Sequence, residues 1–140
     1  MEQNKINDET METISIQPQE LVFLYHKDQK NWEERRTEAK GIAKFVREME
    51  FQDVTQMMWE TLLDWLNLEP KDLFDEQHPE YDEKIKDKDY DRRDWLTILV
   101  NDYQLIKFPM AVINEKAVLC KQRNEITALY SNRPANEKMK

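Results

Sequence analysis

The 140-residue chain contains only one cysteine, Cys120, and only one glycine, Gly41. A single thiol excludes an internal disulfide framework and an all-cysteine zinc site. A single glycine excludes the glycine-rich phosphate loops of P-loop and dinucleotide-binding proteins, which need several residues without a Cβ. With no disulfide to form, a reducing cytoplasm is the expected compartment.

Long apolar runs and basic patches are also missing. No run approaches the roughly 20 apolar residues that cross a bilayer, and the first twenty residues lack the pattern of a secretory signal. The formal net charge is −8, which disfavours direct binding to nucleic acid. The length suits one domain, which we predict over residues 19–130. A disordered arm at 1–18 and a frayed tail at 131–140 are expected on either side, because both are polar.

Four short apolar runs predict strands. Glu20–Tyr25 lacks alternation, which is typical of a strand buried on both faces. Phe45–Met49 fits a short second strand. Met110–Ile113 and Ala117–Cys120 flank a polar turn at Asn114–Lys116 and predict a hairpin.

Three segments carry helical spacing. They run from Trp32 to about Ala43, from Gln56 to Leu66, and from Arg92 to about Asn101. Thr55 and Asp91 are placed to cap the last two, and Asn67 to end the second. A helical turn is expected at Pro70 and a final helix around Glu125–Leu129.

Two further expectations concern the first helix and the middle of the chain. Asn31 is a candidate N-cap, and Gly41 lies where a left-handed residue often ends a helix. Residues 75–89 mix charges of both signs and predict a solvated helical hairpin or loop, held by Tyr81, Ile85 and Tyr90.

Catalytic and metal-binding patterns are weak. His26, His78 and the acids near residue 75 lie in different segments, so we predict no metal site. Serine–histidine–acid catalysis has no support, because Ser15 and Ser131 both lie in the predicted tails.

The order of elements is strand, helix, strand, a long helical middle, two strands and a helix. Leu24–His26, Trp65–Phe74, Asp94–Leu99 with Leu105–Val112, and Asn114–Leu119 are similar to segments of the arsenate reductase-related proteins, which include the transcription regulator Spx. The resemblance covers about residues 20–129. It implies an α/β thioredoxin-like fold of bacterial type: a small mixed four-stranded sheet flanked by helices, with a helical insertion at about 55–102 between the second and third strands.

The resemblance also implies where an active site would lie, and there this sequence departs from the family. Members that reduce arsenate use a thiolate in the loop after the first strand, and arginines that hold the oxyanion. The cysteine would fall near Lys30. The three arginines would fall at Phe108, near Asp75 and near Lys121. Lys121 would keep the charge without the bidentate geometry, and Arg35 and Arg36 on the first helix could replace part of the charge that is lost. The resemblance therefore implies a degenerate active site.

Pro109 matches the position at which thioredoxin-like folds place a cis-proline, so the Phe108–Pro109 bond is expected to be cis. The groove candidates are His26, Lys30, Phe108, Pro109 and Lys121. An exposed Trp32 would lie where the family's substrate enters.

Cys120 has two interpretations. It is either a relocated thiol beside Lys121, which would favour the thiolate, or a small apolar residue that ends a strand. No second cysteine can resolve a disulfide, so any redox cycle would need an external thiol.

Three functions remain open at this point. The chain is predicted to be a noncatalytic module that binds an unidentified protein partner, as Spx binds RNA polymerase. The alternatives are a thiol-dependent reductase of arsenate reductase or glutaredoxin type that uses Cys120, and a binder of glutathione or a peptide at the proline edge. No other cofactor is expected.

Overall fold

The computed structural model describes residues 20–130. Its strands and α-helices are, in chain order, β1 (Glu20–Tyr25), α1 (Trp32–Ile42), β2 (Phe45–Glu50), α2 (Gln56–Leu66), α3 (Tyr81–Lys84), α4 (Arg92–Asn101), β3 (Met110–Ile113) and β4 (Lys116–Leu119). Short 3₁₀ helices occupy Phe51–Asp53, Pro70–Leu73, Tyr103–Leu105 and Ile126–Tyr130. The predicted final helix is therefore a 3₁₀ helix. The predicted arm at 1–18 and tail at 131–140 lie outside the described residues.

The four strands form one mixed sheet in the order β2-β1-β3-β4. β1 is parallel to β2 and antiparallel to β3, and β3 is antiparallel to β4. The prediction that Glu20–Tyr25 is buried on both faces is confirmed, because Leu21 to Leu24 have no exposed surface. The predicted insertion is also confirmed, since α2, α3 and α4 all lie between β2 and β3.

Alternate side chains of the central strands point to two hydrophobic clusters. Val22, Leu24, Met110 and Val112 pack in the larger cluster, together with residues of α2 and α4. The neighbouring residues along β1 and β3 pack on the other face, against α1 and the last 3₁₀ helix. This period of two is what a strand with both faces covered requires.

The β3–β4 hairpin turns at Asn114, whose φ of 56° lies in the left-handed region that asparagine tolerates. β4 begins and ends one residue earlier than the predicted Ala117–Cys120. Cys120 therefore lies just after the strand, and its N–H donates to the carbonyl of Pro109.

The predicted caps have mixed outcomes. Thr55 and Asp91 accept hydrogen bonds from the N–H groups of residues 58 and 94, as predicted, and Asn67 ends α2 in the left-handed conformation. The helix α1 is confirmed, but the roles predicted for Asn31 and Gly41 at its ends are wrong. Asn31 precedes the helix in the left-handed conformation without a side-chain cap, and the helix ends at an extended Ala43, so Gly41 lies inside α1 and no left-handed residue is needed there.

The charged segment at 75–89 contains one helical turn, α3, and a single fully buried side chain, Ile85. Lys84 holds the turn, because its ammonium group pairs with Glu80 at 2.9 Å and with Asp102 at 2.8 Å. The Tyr90 hydroxyl donates to the carbonyl of Lys84. The three residues expected to hold the segment thus do so in different ways: Ile85 by burial, Tyr90 by its hydrogen bond, and Tyr81 by partial burial.

The expectation of a cis Phe108–Pro109 bond is wrong, because every peptide bond between described residues is trans. The trans form is the lower in free energy for most X–Pro bonds, by about 0.5–1 kcal/mol. Here Pro109 is buried, and its carbonyl already accepts from Cys120. None of the described helices combines the length and the apolar character that crossing a membrane demands.

Candidate functional site

A cleft of about 420 Å³ lies beyond the end of β1. The loop after β1 and the first turn of α1 form one side, and residues 75–78 and 104–108 form the other. The two residues that follow β4 complete it. Four of the five predicted groove residues, His26, Lys30, Phe108 and Lys121, line this cleft together with Cys120. The fifth, Pro109, is buried beside it and does not line it.

The floor of the cleft is a hydrogen-bonded bridge made by the side chain of Gln29. Its Oε1 accepts from the His26 N–H at 3.1 Å, and its Nε2 donates to the Ile106 carbonyl at 3.1 Å. The His26 imidazole donates from Nε2 to the same carbonyl at 3.1 Å. Gln29 is only 6% exposed. We call these contacts the Gln29 bridge.

The hydrogen bonds also assign the protonation of His26. Its Nδ1 accepts from the Asp28 N–H at 3.3 Å, so the proton of the neutral ring is on Nε2. Burial is the largest influence on this group and lowers its pKa, although the Ile106 carbonyl acts in the opposite direction. His26 is therefore a neutral donor at pH 7, held in place by the loop.

Cys120 is 2% exposed. Burial is the main cause that raises the pKa of its thiol to about 12, and the nearby Glu38 carboxylate adds to the rise. Arg35 has a smaller, opposing effect. The thiol form is thus the stable one at neutral pH, which is the opposite of what a relocated nucleophile would need.

Arg35 contributes almost no free positive charge to the cleft. Its side chain is 7% exposed and pairs with Glu34 at 3.2 Å and with Glu38 at 3.4 Å. Arg36 lies elsewhere, over the ring of Trp32 and paired with Glu48. The idea that these arginines replace the family's anion-binding charge is not supported by their contacts.

Three lysines supply the positive charge of the cleft: Lys30, Lys107 and Lys121. All three are exposed, and none forms an ion pair with another residue of the described part of the chain. Lys107 lies over the ring of Phe108, with its Nζ 5.3 Å from the centroid. Two carboxylates, Asp28 and Asp75, line the same space.

The backbone on the far side of the cleft is already paired. Phe74 and Ile106 form an antiparallel bridge, the Asp75 N–H donates to the Leu105 carbonyl, and the Lys107 N–H donates to the Leu73 carbonyl. The start of the charged segment is therefore a wall of the cleft and not only a solvated loop.

Known proteins resemble this chain in structure. An arsenate reductase from Vibrio cholerae superposes with a TM-score of 0.67 at 16% identity, over 81% of this chain and 99% of that one. The chain shares its fold. A Staphylococcus aureus protein gives a TM-score of 0.63 at 18% identity, over 77% of this chain and 96% of that one. A Bacteroides fragilis protein described as related to the ArsC family gives a TM-score of 0.63 at 16% identity, over 79% of this chain and 98% of that one. No family model matches the chain, and no curated protein matches its sequence.

The predicted thioredoxin-like α/β fold is thus confirmed. At sequence identities this low, the comparisons show the fold alone. Trp32 is not at the entrance of the cleft; its half-buried ring stacks on Tyr25. His26 and His78 both line the cleft, but no group of three potential metal ligands occurs within residues 20–130.

Sequence reasoning missed Gln29, Lys107 and Asp28. The Gln29 side chain bonds to Ile106, which lies 77 positions away in the chain, and no local pattern reveals such a contact. Lys107 could have been found, because it directly precedes the Phe108–Pro109 pair that was selected.

Proposed function

We propose that this chain is a noncatalytic cytoplasmic protein with the arsenate reductase fold, and that its cleft binds an acidic segment of a partner protein. The observation that carries this proposal is the set of three cleft lysines without ion pairs, in a chain whose net charge is −8. Other exposed lysines also lack ion pairs, but these three surround one cavity that only two carboxylates line, so they favour a negatively charged ligand.

The chemistry of the cleft suits carboxylates on a peptide. Lysines are compact, strongly hydrated charges that can adjust to carboxylates at variable spacing. Phe108 is half-buried and offers an apolar surface between the charges. Asp28 and Asp75 reduce the net positive charge, so an elongated ligand that meets the lysines separately fits better than one compact multivalent anion.

The reductase alternative is disfavoured by the state of Cys120. With a thiol pKa of about 12, only about one molecule in 10⁵ would carry a thiolate at pH 7. The family's nucleophile position falls near Lys30, which carries no thiol.

The glutathione alternative loses its main support, because residues 105 and 107 are already paired with residues 73–75 and the bond before Pro109 is trans. Glutathione is also an anion, so it serves as a useful competitor in the test below.

The test is a titration of the full chain with acetyl-Glu-Ala-Glu-Ala-Glu-amide, followed by amide chemical shifts. We expect shifts confined to the cleft, and an affinity that falls at least tenfold when Lys30, Lys107 and Lys121 are all changed to Gln. The matched control changes Lys44, Lys86 and Lys88 to Gln; these are also exposed, and each lacks an ion pair within residues 20–130.

Binding should weaken as salt is added, because exposed charges are screened. The proposal fails if the peptide does not perturb the cleft at millimolar concentration, or if the control loses as much affinity as the cleft variant. Displacement of the peptide by equimolar glutathione would instead favour the glutathione-binding function.

A further inference from the structure

We infer that the Gln29 carboxamide is an internal substitute for a main-chain amide, and that an extended peptide segment binds the cleft by displacing it. This inference rests on the proposed function, because it concerns the same cleft. It adds the main-chain hydrogen bonds by which the peptide is held and the step that controls its entry.

The first argument is the position of the Gln29 bridge in the sheet. The β1–β3 ladder ends at the pair Leu24 and Met110. In continued register, His26 would face Phe108, but the ladder has already ended and His26 makes no pair with Phe108, which leaves a gap there. The Gln29 side chain fills this gap, bonded to His26 on one side and to Ile106 on the other.

The second argument is chemical equivalence. A glutamine carboxamide presents one acceptor oxygen and N–H donors on a planar group, as a main-chain amide does. The groups it bonds, one N–H and one carbonyl, are those that strand addition offers to an incoming peptide. The bridge therefore fills a site with the hydrogen-bonding pattern of a peptide amide.

The third argument is that displacement of the Gln29 side chain leaves few polar groups without a hydrogen bond. When Gln29 leaves, the Ile106 carbonyl keeps its hydrogen bond from the His26 imidazole. The His26 N–H alone loses its partner, and a carbonyl of the incoming peptide can replace it. Lys27, Asp28 and Lys30 around Gln29 are exposed, so the displaced side chain has a route into solvent.

The closing experiment compares two probes and two variants of the full chain. The probes are acetyl-Glu-Ala-Glu-Ala-Glu-amide, which has main-chain amides, and glutarate, a dicarboxylate that has none. The variants are Gln29→Ala and Gln122→Ala, the latter an exposed glutamine that does not line the cleft. Gln29→Ala should bind the peptide about tenfold more tightly than the wild type, since an internal competitor worth about one hydrogen bond is gone. Its affinity for glutarate should not change, and Gln122→Ala should resemble the wild type with both probes.

A second measurement uses the wild type alone and does not depend on the stability of a variant. On saturation with peptide, the side-chain amide signals of Gln29 should move to the positions of a solvated glutamine. The inference is overturned if these signals stay in place, or if Gln29→Ala gains nothing or gains equally for glutarate. Peptide binding that depends on the three lysines but not on Gln29 would refute this inference and leave the proposed function standing. No peptide binding by any variant would refute both.

Discussion

The indole of Trp32 lies almost parallel to the phenol ring of Tyr25, with centroids 4.6 Å apart and an angle of 10° between the planes. Trp32 is the first residue of α1 and Tyr25 the last of β1. The stack therefore packs the start of the helix against the end of the strand, across the loop of residues 26–31 that lines the cleft. The Arg36 guanidinium lies over the same indole at 4.9 Å.

We expect Trp32→Ala to lower the free energy of unfolding by about 2 kcal/mol, since it removes both an aromatic pair and part of the apolar cover of Tyr25. Trp32→Phe should recover about half of that loss. Urea denaturation provides the measurement, with Phe45→Ala as control because Phe45 is 54% exposed. A loss for Trp32→Ala no larger than that of the control would show that the stack has no structural role.

Gly41 and Asn67 make a matched pair with opposite expected effects. Gly41 lies within α1 at an ordinary helical φ, and a Cβ there would meet nothing within 4 Å. Gly41→Ala should therefore raise the free energy of unfolding by about 0.5–1 kcal/mol. Asn67 has a φ of 60°, so Asn67→Ala should lower it by about 1 kcal/mol. Thermal denaturation of the two variants should show midpoints on opposite sides of the wild type. Two shifts in the same direction would contradict this account.

His26 should make the protein less stable in mild acid. Burial lowers its pKa in the folded state, so the unfolded chain binds a proton first as the pH falls below its ordinary value of 6.5. The stability due to neutral His26 is therefore complete above that pH and is lost below it. Between pH 7 and pH 5, the free energy of unfolding should fall more steeply in the wild type than in His26→Gln.

His78→Gln is the control for this comparison, because it removes the other histidine of the chain. This variant should keep a steeper decline than His26→Gln. Proton NMR should place the midpoint of the His26 ring titration below 6.5, and a midpoint above that value would refute the buried neutral assignment.

Cys120 should make the free energy of unfolding fall at alkaline pH. Its folded-state pKa of about 12 lies above the ordinary value of 9.0, so the thiol contributes stability that is complete below pH 9 and is lost as the pH rises toward 12. The slope in that window is at most about 1.4 kcal/mol per pH unit for one group. Cys120→Ala should show a shallower alkaline decline than the wild type.

The same burial predicts slow reaction of the thiol with a disulfide reagent at pH 8, and a fast reaction only after denaturation. Reaction of native Cys120 as fast as that of the denatured chain would reinstate the reductase hypothesis.

Much of the scaffold could be predicted because it depends on local patterns. The apolar run at Glu20–Tyr25 and the caps Thr55 and Asp91 each act through residues a few positions away, so the sequence shows them directly. Asn31 and Gly41 were misassigned because the frequency of a residue type at a cap does not determine which backbone conformation the tertiary structure imposes.

The cleft could be predicted only in part. The resemblance placed His26, Lys30, Phe108 and Lys121 near one another, and the structure brings them into one cavity. The bridge by Gln29, the neutralised Arg35 and the trans bond at Pro109 depend on contacts between distant segments. Such contacts leave no periodicity in the chain.

Ile85 is the one fully buried side chain between residues 75 and 89, all of which are described. A segment with so few buried contacts is expected to open at a lower free energy than the buried central strands. Residues 75–78 belong to this segment and also form a wall of the cleft. The cleft thus joins a side built on β1 to a side that we expect to exchange its amide hydrogens earlier, so its width depends on the more weakly held of its two walls.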